Sequence, residues 1–183
     1  MTDPWTSVGT VETFTGGQFD VFDPAPESVR LGDIAAGLAH TCRFGGHCSR
    51  FYSVAEHSLH VSQELSSDRP RLQLVGLLHD AAEAYIGDIP RPLKAELDGI
   101  ETVEHEILDA VWRAFDVSPP TDDEWATVME ADDRLLAYEA THLLEDGSWA
   151  AESSPLGYEL GGDAPETVRE RFRTRTERLV DQI

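Results

Sequence analysis

Basic residues are scarce in this chain of 183 residues. It has 14 lysines and arginines against 35 aspartates and glutamates, which gives a formal net charge of −21, and Lys94 is its only lysine. Such a negative field repels nucleic acids and anionic membranes. The acidic residues are scattered along the whole chain rather than massed in one block. This distribution favours a halophile-type, salt-adapted surface over an acidic surface that imitates DNA.

Long hydrophobic runs and cysteines are also scarce. No stretch approaches the roughly 18 apolar residues that cross a bilayer, and the N-terminal MTDPWTSVGT lacks the pattern of a signal peptide. We therefore expect a soluble, cytoplasmic protein. Cys42 and Cys48 are the only cysteines. Their spacing around His47 fits no standard zinc pattern, so reduced thiols are expected in that compartment.

The pattern of hydrophobic residues is mainly helical. The segments VETF and FDVF flank TGGQ, which predicts a short β-hairpin at Gly16-Gly17 within an extended segment 1–30. Beyond it, start signals for helices recur. They are Asp33 as a cap, Ser53 with Glu56, Pro70, Thr121 with Glu124, and Pro165.

These signals predict an all-α protein, a bundle of about five to seven helices with a small N-terminal β-hairpin. We expect one domain over residues 1–183. It would comprise the N-terminal segment 1–30, a catalytic helical core 31–145, and a loop with a C-terminal helix 146–183.

Four ionisable groups lie in and just after one apolar helix, in LVGLLHDAAEAYIGDIPRPLK at residues 74–94. The helix is predicted to continue through Tyr85, and because it is apolar all round it should be buried. His79 and Asp80 then lie at its inner end, Glu83 shares a face with His79 one turn later, and Asp88 follows in the turn. A buried carboxylate needs a partner or a metal. An isolated His-Asp pair would more simply form a cap or an ion pair with arginine.

Two further helices supply matching residues. His57 lies on the preceding helix in SVAEHSLHV, and Asp132 lies on a later amphipathic helix in EADDRLLAYEA. Two imidazoles and two carboxylates suit a divalent ion such as Mn²⁺, Co²⁺, Fe²⁺ or Zn²⁺, with positions left for water and substrate. Asp133 is adjacent to Asp132, and the choice between them stays open at this point.

Taken together, these motifs resemble a known superfamily. The segments RFGGH (43–47), FYSVAEHSLHVS (51–62), LLHDAAEAYIGDIPRPLK (77–94) and EADDRLLAYEA (130–140) are similar to those of the HD-domain metal-dependent phosphohydrolases, and most of all to the 5′-deoxynucleotidase-like group with its phage-associated relatives. The resemblance implies one divalent ion (Mn, Co, Fe, Zn or Mg) and a homodimer. It implies His57, His79, Asp80 and Asp132 as metal ligands, Glu83 and Asp88 as catalytic residues, and Arg43, His47 and Lys94 as substrate-binding residues.

The expected activity is the release of phosphate from a small nucleotide by a metal-activated water. Glu83 would take the proton of that water, and Asp88 would position the water or protonate the leaving oxygen. A (deoxy)nucleoside 5′-monophosphate is the favoured substrate, because few basic residues lie near the motifs. The alternatives are a nucleotide triphosphohydrolase or cyclic-nucleotide phosphodiesterase, a non-catalytic nucleotide sensor, and an acidic decoy protein.

Overall fold

The N-terminal hairpin has the predicted form. The structure, a computed structural model, describes residues 9–150 and 156–183, so parts of the predicted N-terminal segment and of the predicted loop lie outside it. Strand β1 (Thr10–Glu12) pairs antiparallel with β2 (Gln18–Asp20), and Val11 lies opposite Phe19. Gly16 turns the chain with φ 80°, a backbone angle that glycine adopts at little cost.

The rest of the described chain is mostly helical, as predicted. Two of its helical elements, Glu83–Ile86 and Arg91–Lys94, are single turns of four residues each. No helix within 9–150 or 156–183 is long and apolar enough to cross a membrane. The helices are α1 (Leu31–His40), α2 (Val54–Glu64), α3 (Pro70–Leu78), α4 (Glu83–Ile86), α5 (Arg91–Lys94), α6 (Ile100–Ala114), α7 (Asp122–Leu143) and α8 (Pro165–Val180), with 3₁₀ turns at Pro26–Ser28 and Arg43–Gly46.

Two helices that contribute to the site begin where the capping signals predict. Ser53 accepts a hydrogen bond from the Glu56 amide at 3.1 Å and starts α2. Thr121 and Glu124 exchange both bonds of a capping box and start α7. Each such cap typically contributes about 1 kcal/mol to helix stability, and it fixes the residue at which the helix begins.

The predicted cap at Asp33 was wrong. Asp33 lies inside α1, whose N-cap is Arg30. The Asp33 carboxylate instead accepts hydrogen bonds from the backbone amide of Thr15 at 2.7 Å and from the Thr15 hydroxyl at 3.1 Å. The carboxylate therefore ties the hairpin turn to α1, a long-range contact for which the local pattern gives no signal.

The long helix predicted from Pro70 through Tyr85 is interrupted at its functional end. Helix α3 ends at Leu78, and a turn precedes α4. The His79 ring nitrogen Nδ1 lies 2.8 Å from the Gly76 carbonyl oxygen, which the amide of Asp80 would use if the helix continued. Side-chain competition for a backbone group of this kind disfavours a continuing helix. His79 therefore lies at the break between α3 and α4.

The core is built around α2 and α3. Helix α3 packs against α2, α7 and α8, and α2 packs against α1 as well. All residues of α3 from Leu72 to Leu78 are buried. Helix α2 is buried from Val54 to Ser62 although it carries charged and polar residues there. Buried polar groups need partners. Among those of α2, His57 contacts Glu139 on α7, whereas Glu56 and Ser62 bond to Gly161 and Gln73 elsewhere in the fold.

Candidate metal centre and pocket

Three side chains from three helical elements converge in the interior. His57 lies on α2, His79 follows α3, and Asp132 lies in the middle of α7; all three are buried. One ligand atom from each lies within 4.8 Å of the other two. This spacing suits a single ion bound by two imidazoles and a carboxylate. We call these three residues the metal group.

Hydrogen bonds orient both histidines. The Nδ1 atom of His57 lies 2.7 Å from Glu139 Oε1, and that of His79 lies 2.8 Å from the Gly76 carbonyl. Both partners accept, so each Nδ1 donates and each Nε2 is turned towards the metal group. Within the described residues, neither Nε2 has a hydrogen bond although both are buried. Buried ring nitrogens seldom stay without a partner, and a divalent ion is a partner that fits both.

Glu139 supports this arrangement, and its role was not foreseen from the sequence. Its side chain is fully buried and accepts hydrogen bonds from His57, from the Tyr52 hydroxyl at 2.8 Å and from Arg43 Nη2 at 3.2 Å. Burial opposes its charge, but His57 and Arg43 hold the pKa of Glu139 below its usual value. The signal was its position seven residues after Asp132, two turns along the same face of α7.

The structure separates Asp132 from Asp133. Asp132 is 5% exposed, and its Oδ1 lies 3.0 Å from His57 Nε2. The Asp133 side chain is 64% exposed and faces away from the histidines, towards Arg91. Burial favours the protonated acid, but His57 and His79 hold the pKa of Asp132 well below its usual value. The alternative that the sequence left open therefore resolves to Asp132 as the residue that faces the metal group.

Without an ion, the metal group is held together by ion pairs. Burial and Arg43 disfavour a charged ring at His57, yet Glu139 and Asp132 outweigh them and raise its pKa to about 9. Asp80, the fourth predicted ligand, borders the group with Oδ2 3.2 Å from His79 Nε2 and 3.7 Å from His57 Nε2. A bound cation would take the place of the shared protons in this network.

A pocket of about 750 Å³ opens onto the metal group. Besides His79, Asp80 and Asp132, all five residues predicted to be catalytic or substrate-binding line it, namely Arg43, His47, Glu83, Asp88 and Lys94. An apolar side of the same pocket was not predicted. It is formed by Phe44, Leu108, Trp125, Met129, Leu136 and Trp149, among others. The pocket thus combines a charged end with an apolar wall, as small-molecule sites commonly do.

Glu83 and Asp88 follow His79 on the floor of the pocket. Glu83 is 6% exposed, and its Oε2 atom has no hydrogen-bond partner among the residues that the structure describes. Burial, together with the charges of Asp80 and Asp88, raises the pKa of Glu83 well above its usual value. A carboxyl group with a raised pKa is suited to proton transfer near neutral pH.

The predicted cations of the pocket differ in how they are held. Arg43 is only 11% exposed and pairs with Glu139, and its Nη1 lies 3.8 Å from Asp80. Lys94 is paired with Glu104 on α6 at 2.7 Å, a partner that the sequence did not indicate. His47 is exposed on the loop beside Arg43. Only Arg43 is therefore fixed in the interior, whereas the other two lie at the rim.

The loop that carries Arg43 has an unusual backbone. Phe44 has φ 56°, and Gly45 and Gly46 follow with φ 60° and 82°. A left-handed conformation is uncommon for a residue with a side chain and costs on the order of 1 kcal/mol. The Arg43 guanidinium carbon lies 5.6 Å from the centre of the Phe44 ring, and both residues line the pocket. The loop is therefore also an edge of the pocket.

Comparison with known proteins gives relatives and no activity. No family model matches the chain. It is 39% identical over 140 residues to YfdR, an uncharacterized protein of Escherichia coli K12, with 76% of this chain and 75% of YfdR covered. It is 40% identical over 108 residues to an uncharacterized protein of Rhodobacter capsulatus, with 55% of each chain covered. Both relatives are named only as uncharacterized proteins.

Proposed function

This chain belongs to the same family as YfdR of Escherichia coli, and we propose that it is a metal-dependent phosphohydrolase of the HD type. The observation that carries the proposal is the pair of buried Nε2 atoms of His57 and His79, which converge with Asp132 within 4.8 Å. Carboxylate oxygens lie close to both atoms, but neither atom makes a hydrogen bond within the described chain. The motifs that resemble HD phosphohydrolases provide these same residues.

His57, His79 and Asp132 would hold one divalent ion, with Asp80 beside them as the fourth ligand. Bound there, the ion would supply an acidic water and polarise a phosphoryl oxygen. The chain itself provides the rigid mount. His57 is oriented by Glu139 and His79 by the Gly76 carbonyl, and second contacts of this kind strengthen metal affinity and orient the ligands.

Arg43 and Glu83 provide the remaining chemistry. Arg43 is fixed by Glu139, and its forked guanidinium suits the oxygens of a phosphate that enters from the pocket. Glu83, with its raised pKa, accepts the proton of the attacking water. Asp88 also lines the pocket and positions that water or protonates the leaving oxygen.

The pocket supports a small substrate with one phosphate and a flat apolar group. Phe44, Trp125 and Trp149 provide aromatic surface in the pocket, and aromatic rings pack well against planar bases. Because Lys94 is paired with Glu104, few free cations remain for a triphosphate. A (deoxy)nucleoside 5′-monophosphate is therefore the proposed substrate, ahead of a triphosphate or a cyclic nucleotide. The presence of Glu83 and Asp88 in the pocket favours an enzyme over a sensor or an acidic decoy.

Phosphate release tests the proposal. The purified protein is assayed with a panel of nucleoside and deoxynucleoside mono- and triphosphates and cyclic nucleotides in Mn²⁺, Co²⁺ or Mg²⁺. We expect phosphate from 5′-monophosphates, lost with a chelator and restored by metal. No release from any nucleotide by metal-loaded protein would overturn the proposed enzyme, and release from triphosphates alone would overturn the proposed substrate.

The variant Glu83→Gln tests the role assigned to this residue. It keeps the shape of the side chain but removes its proton-accepting group, so kcat should fall by about 10²–10⁴-fold while metal content stays unchanged. The matched control is Glu166→Gln, an exposed position on α8, which should keep wild-type turnover. Loss of metal together with activity would make Glu83 a ligand, and unchanged kcat would exclude it from proton transfer.

A further inference from the structure

Arg91 joins the metal group to the short helix α5. Its Nη2 lies 2.5 Å from Asp132 Oδ2, and its Nη1 lies 2.8 Å from Asp133 Oδ1. The other oxygen of Asp132, Oδ1, lies 3.0 Å from His57 Nε2. The two oxygens of Asp132 thus have different partners, with the metal group on one side and a guanidinium on the other.

This division fixes the orientation of the Asp132 carboxylate. A carboxylate with one oxygen free rotates and presents either oxygen to an ion. The charge-assisted hydrogen bond from Arg91 to Oδ2 restricts that rotation and leaves Oδ1 directed at the histidines. Hydrogen bonds to ligating carboxylates act in the same way in metal sites generally.

Asp133 balances the charge of Arg91. An arginine beside a cation site weakens metal binding through repulsion unless another group compensates its charge. Asp133 pairs with the second arm of the same guanidinium and lies outside the metal group. The adjacent aspartates therefore have different tasks, since Asp132 faces the ion site and Asp133 neutralises the arginine that holds Asp132.

The contact is not a by-product of tight packing around α5. No residue of α5 is buried, and Leu93 is 54% exposed. Two ion pairs tie this turn to the longer helices, Arg91 to α7 and Lys94 to Glu104 on α6. Arg91 also follows Asp88 by three residues, so the same link steadies the segment that carries this catalytic candidate.

We propose that Arg91 is a positioning residue, which orients Asp132 for metal binding, with Asp133 as its counter-charge. This inference rests on the metal site of the proposed function. For a variant without Arg91, it predicts a change in metal affinity opposite in sign to the change that the lost charge alone would cause. Removal of a positive charge beside a cation site tightens metal binding by charge alone, whereas loss of a positioning contact weakens it.

Calorimetric titration of the metal-free protein with Co²⁺ and Mn²⁺ measures the metal affinity of each variant without any activity assay. Arg91→Ala should bind both ions about 10–100-fold more weakly than the wild type. Arg91→Lys should fall in between, because an ammonium holds one oxygen but lacks the fork. The control Arg134→Ala removes the same charge from α7, where Arg134 lies 4.0 Å from Glu64, and should stay within about twofold of the wild type.

The outcomes separate this inference from the proposed function. Unchanged or tighter metal binding by Arg91→Ala, with a wild type that binds metal, overturns the positioning role alone. A wild type that binds neither ion overturns the metal site and the inference with it. An equal loss of affinity in Arg134→Ala would show that the weakening does not depend on the contact between Arg91 and Asp132, and would also overturn the inference. Circular dichroism of the metal-free variants checks that the fold is kept, which the half-exposed position of Arg91 favours.

Discussion

The two sides of the pocket are built by different means. On the inner side, the metal group and Glu139 are buried in three packed helices, and hydrogen bonds orient both rings of the group. On the outer side, α5 has no buried residue and is tied by ion pairs whose arginine and lysine are partly exposed. Packing therefore determines the geometry of the metal group, whereas ion pairs with partly exposed partners hold α5 at the pocket.

This difference has an energetic consequence. Removing one partner from a buried charged network costs about 3–5 kcal/mol, because the remaining groups keep their desolvation penalty. Exposed ion pairs contribute only about 0–1 kcal/mol. Changes on the inner side should therefore alter the stability of the protein and its metal affinity together. Changes on the outer side should leave the free energy of unfolding almost unchanged.

The largest effect is expected for Glu139→Ala. This change leaves His57, Tyr52 and Arg43 buried without their common acceptor. The free energy of unfolding of the metal-free protein should fall by about 3–5 kcal/mol, measured by urea denaturation. Metal affinity should fall about 10–100-fold at the same time.

The matched control for this change is Glu130→Ala. Glu130 lies on the same helix but is exposed, so its removal should change stability by no more than about 0.5 kcal/mol. An equal, small effect of both variants would show that the inner network is not strongly coupled. In that case the contrast between the two sides of the pocket would be lost.

The sequence predicted the inner side better than the outer side. The metal group and the order of the helices follow from periodicity, caps and the motifs around His57, His79 and Asp132, all of which are local signals. Which of the adjacent residues Asp132 and Asp133 faces the histidines depends on the rotation of α7 about its own axis. The sequence does not determine that rotation to within one residue. The break at His79 depends on a side-chain bond to Gly76, and helical periodicity does not report such competition.

The outer side depends on contacts between residues far apart in the chain. Arg91 pairs with Asp132 on α7, 41 positions away in the chain, and Lys94 pairs with Glu104 on α6. Charges of both signs are common on any surface, so composition does not indicate which of them pair. Glu139 is an intermediate case, because its position two turns from Asp132 on α7 indicated a shared face but not its three partners.

A second prediction tests the inner side through pH. His60 is buried next to the metal group, with its Nδ1 2.9 Å from the Tyr52 hydroxyl and its ring stacked on Tyr158. Burial lowers the pKa of His60 to about 4, although Glu139 acts in the opposite direction. The unfolded chain binds a proton at this residue below pH about 6.5, whereas the folded protein does not until about pH 4.

The neutral His60 ring therefore supports the fold fully above pH 6.5, and this contribution disappears as the pH falls towards 4. Its size is about 3 kcal/mol over that window. His60→Gln should remove this contribution. As the pH is lowered from 6.5 to 4, the free energy of unfolding of the variant should therefore fall by about 3 kcal/mol less than that of the wild type. The control His40→Gln, at an exposed position on α1, should keep the wild-type slope. Parallel pH profiles for wild type and His60→Gln would contradict the prediction.

The smallest effect is expected at the rim, from the pair of Lys94 and Glu104. A double-mutant cycle of Lys94→Met and Glu104→Gln, measured by urea denaturation, should give a coupling energy of about 0.2–1 kcal/mol, because the ion pair is partly exposed and screened by salt. In phosphate-release assays, Lys94→Met should raise KM more than it lowers kcat, since Lys94 lies at the entrance rather than against the metal group. A coupling energy of 3 kcal/mol or more would make the rim as strongly coupled as the inner network, and the distinction between the two sides would then fail.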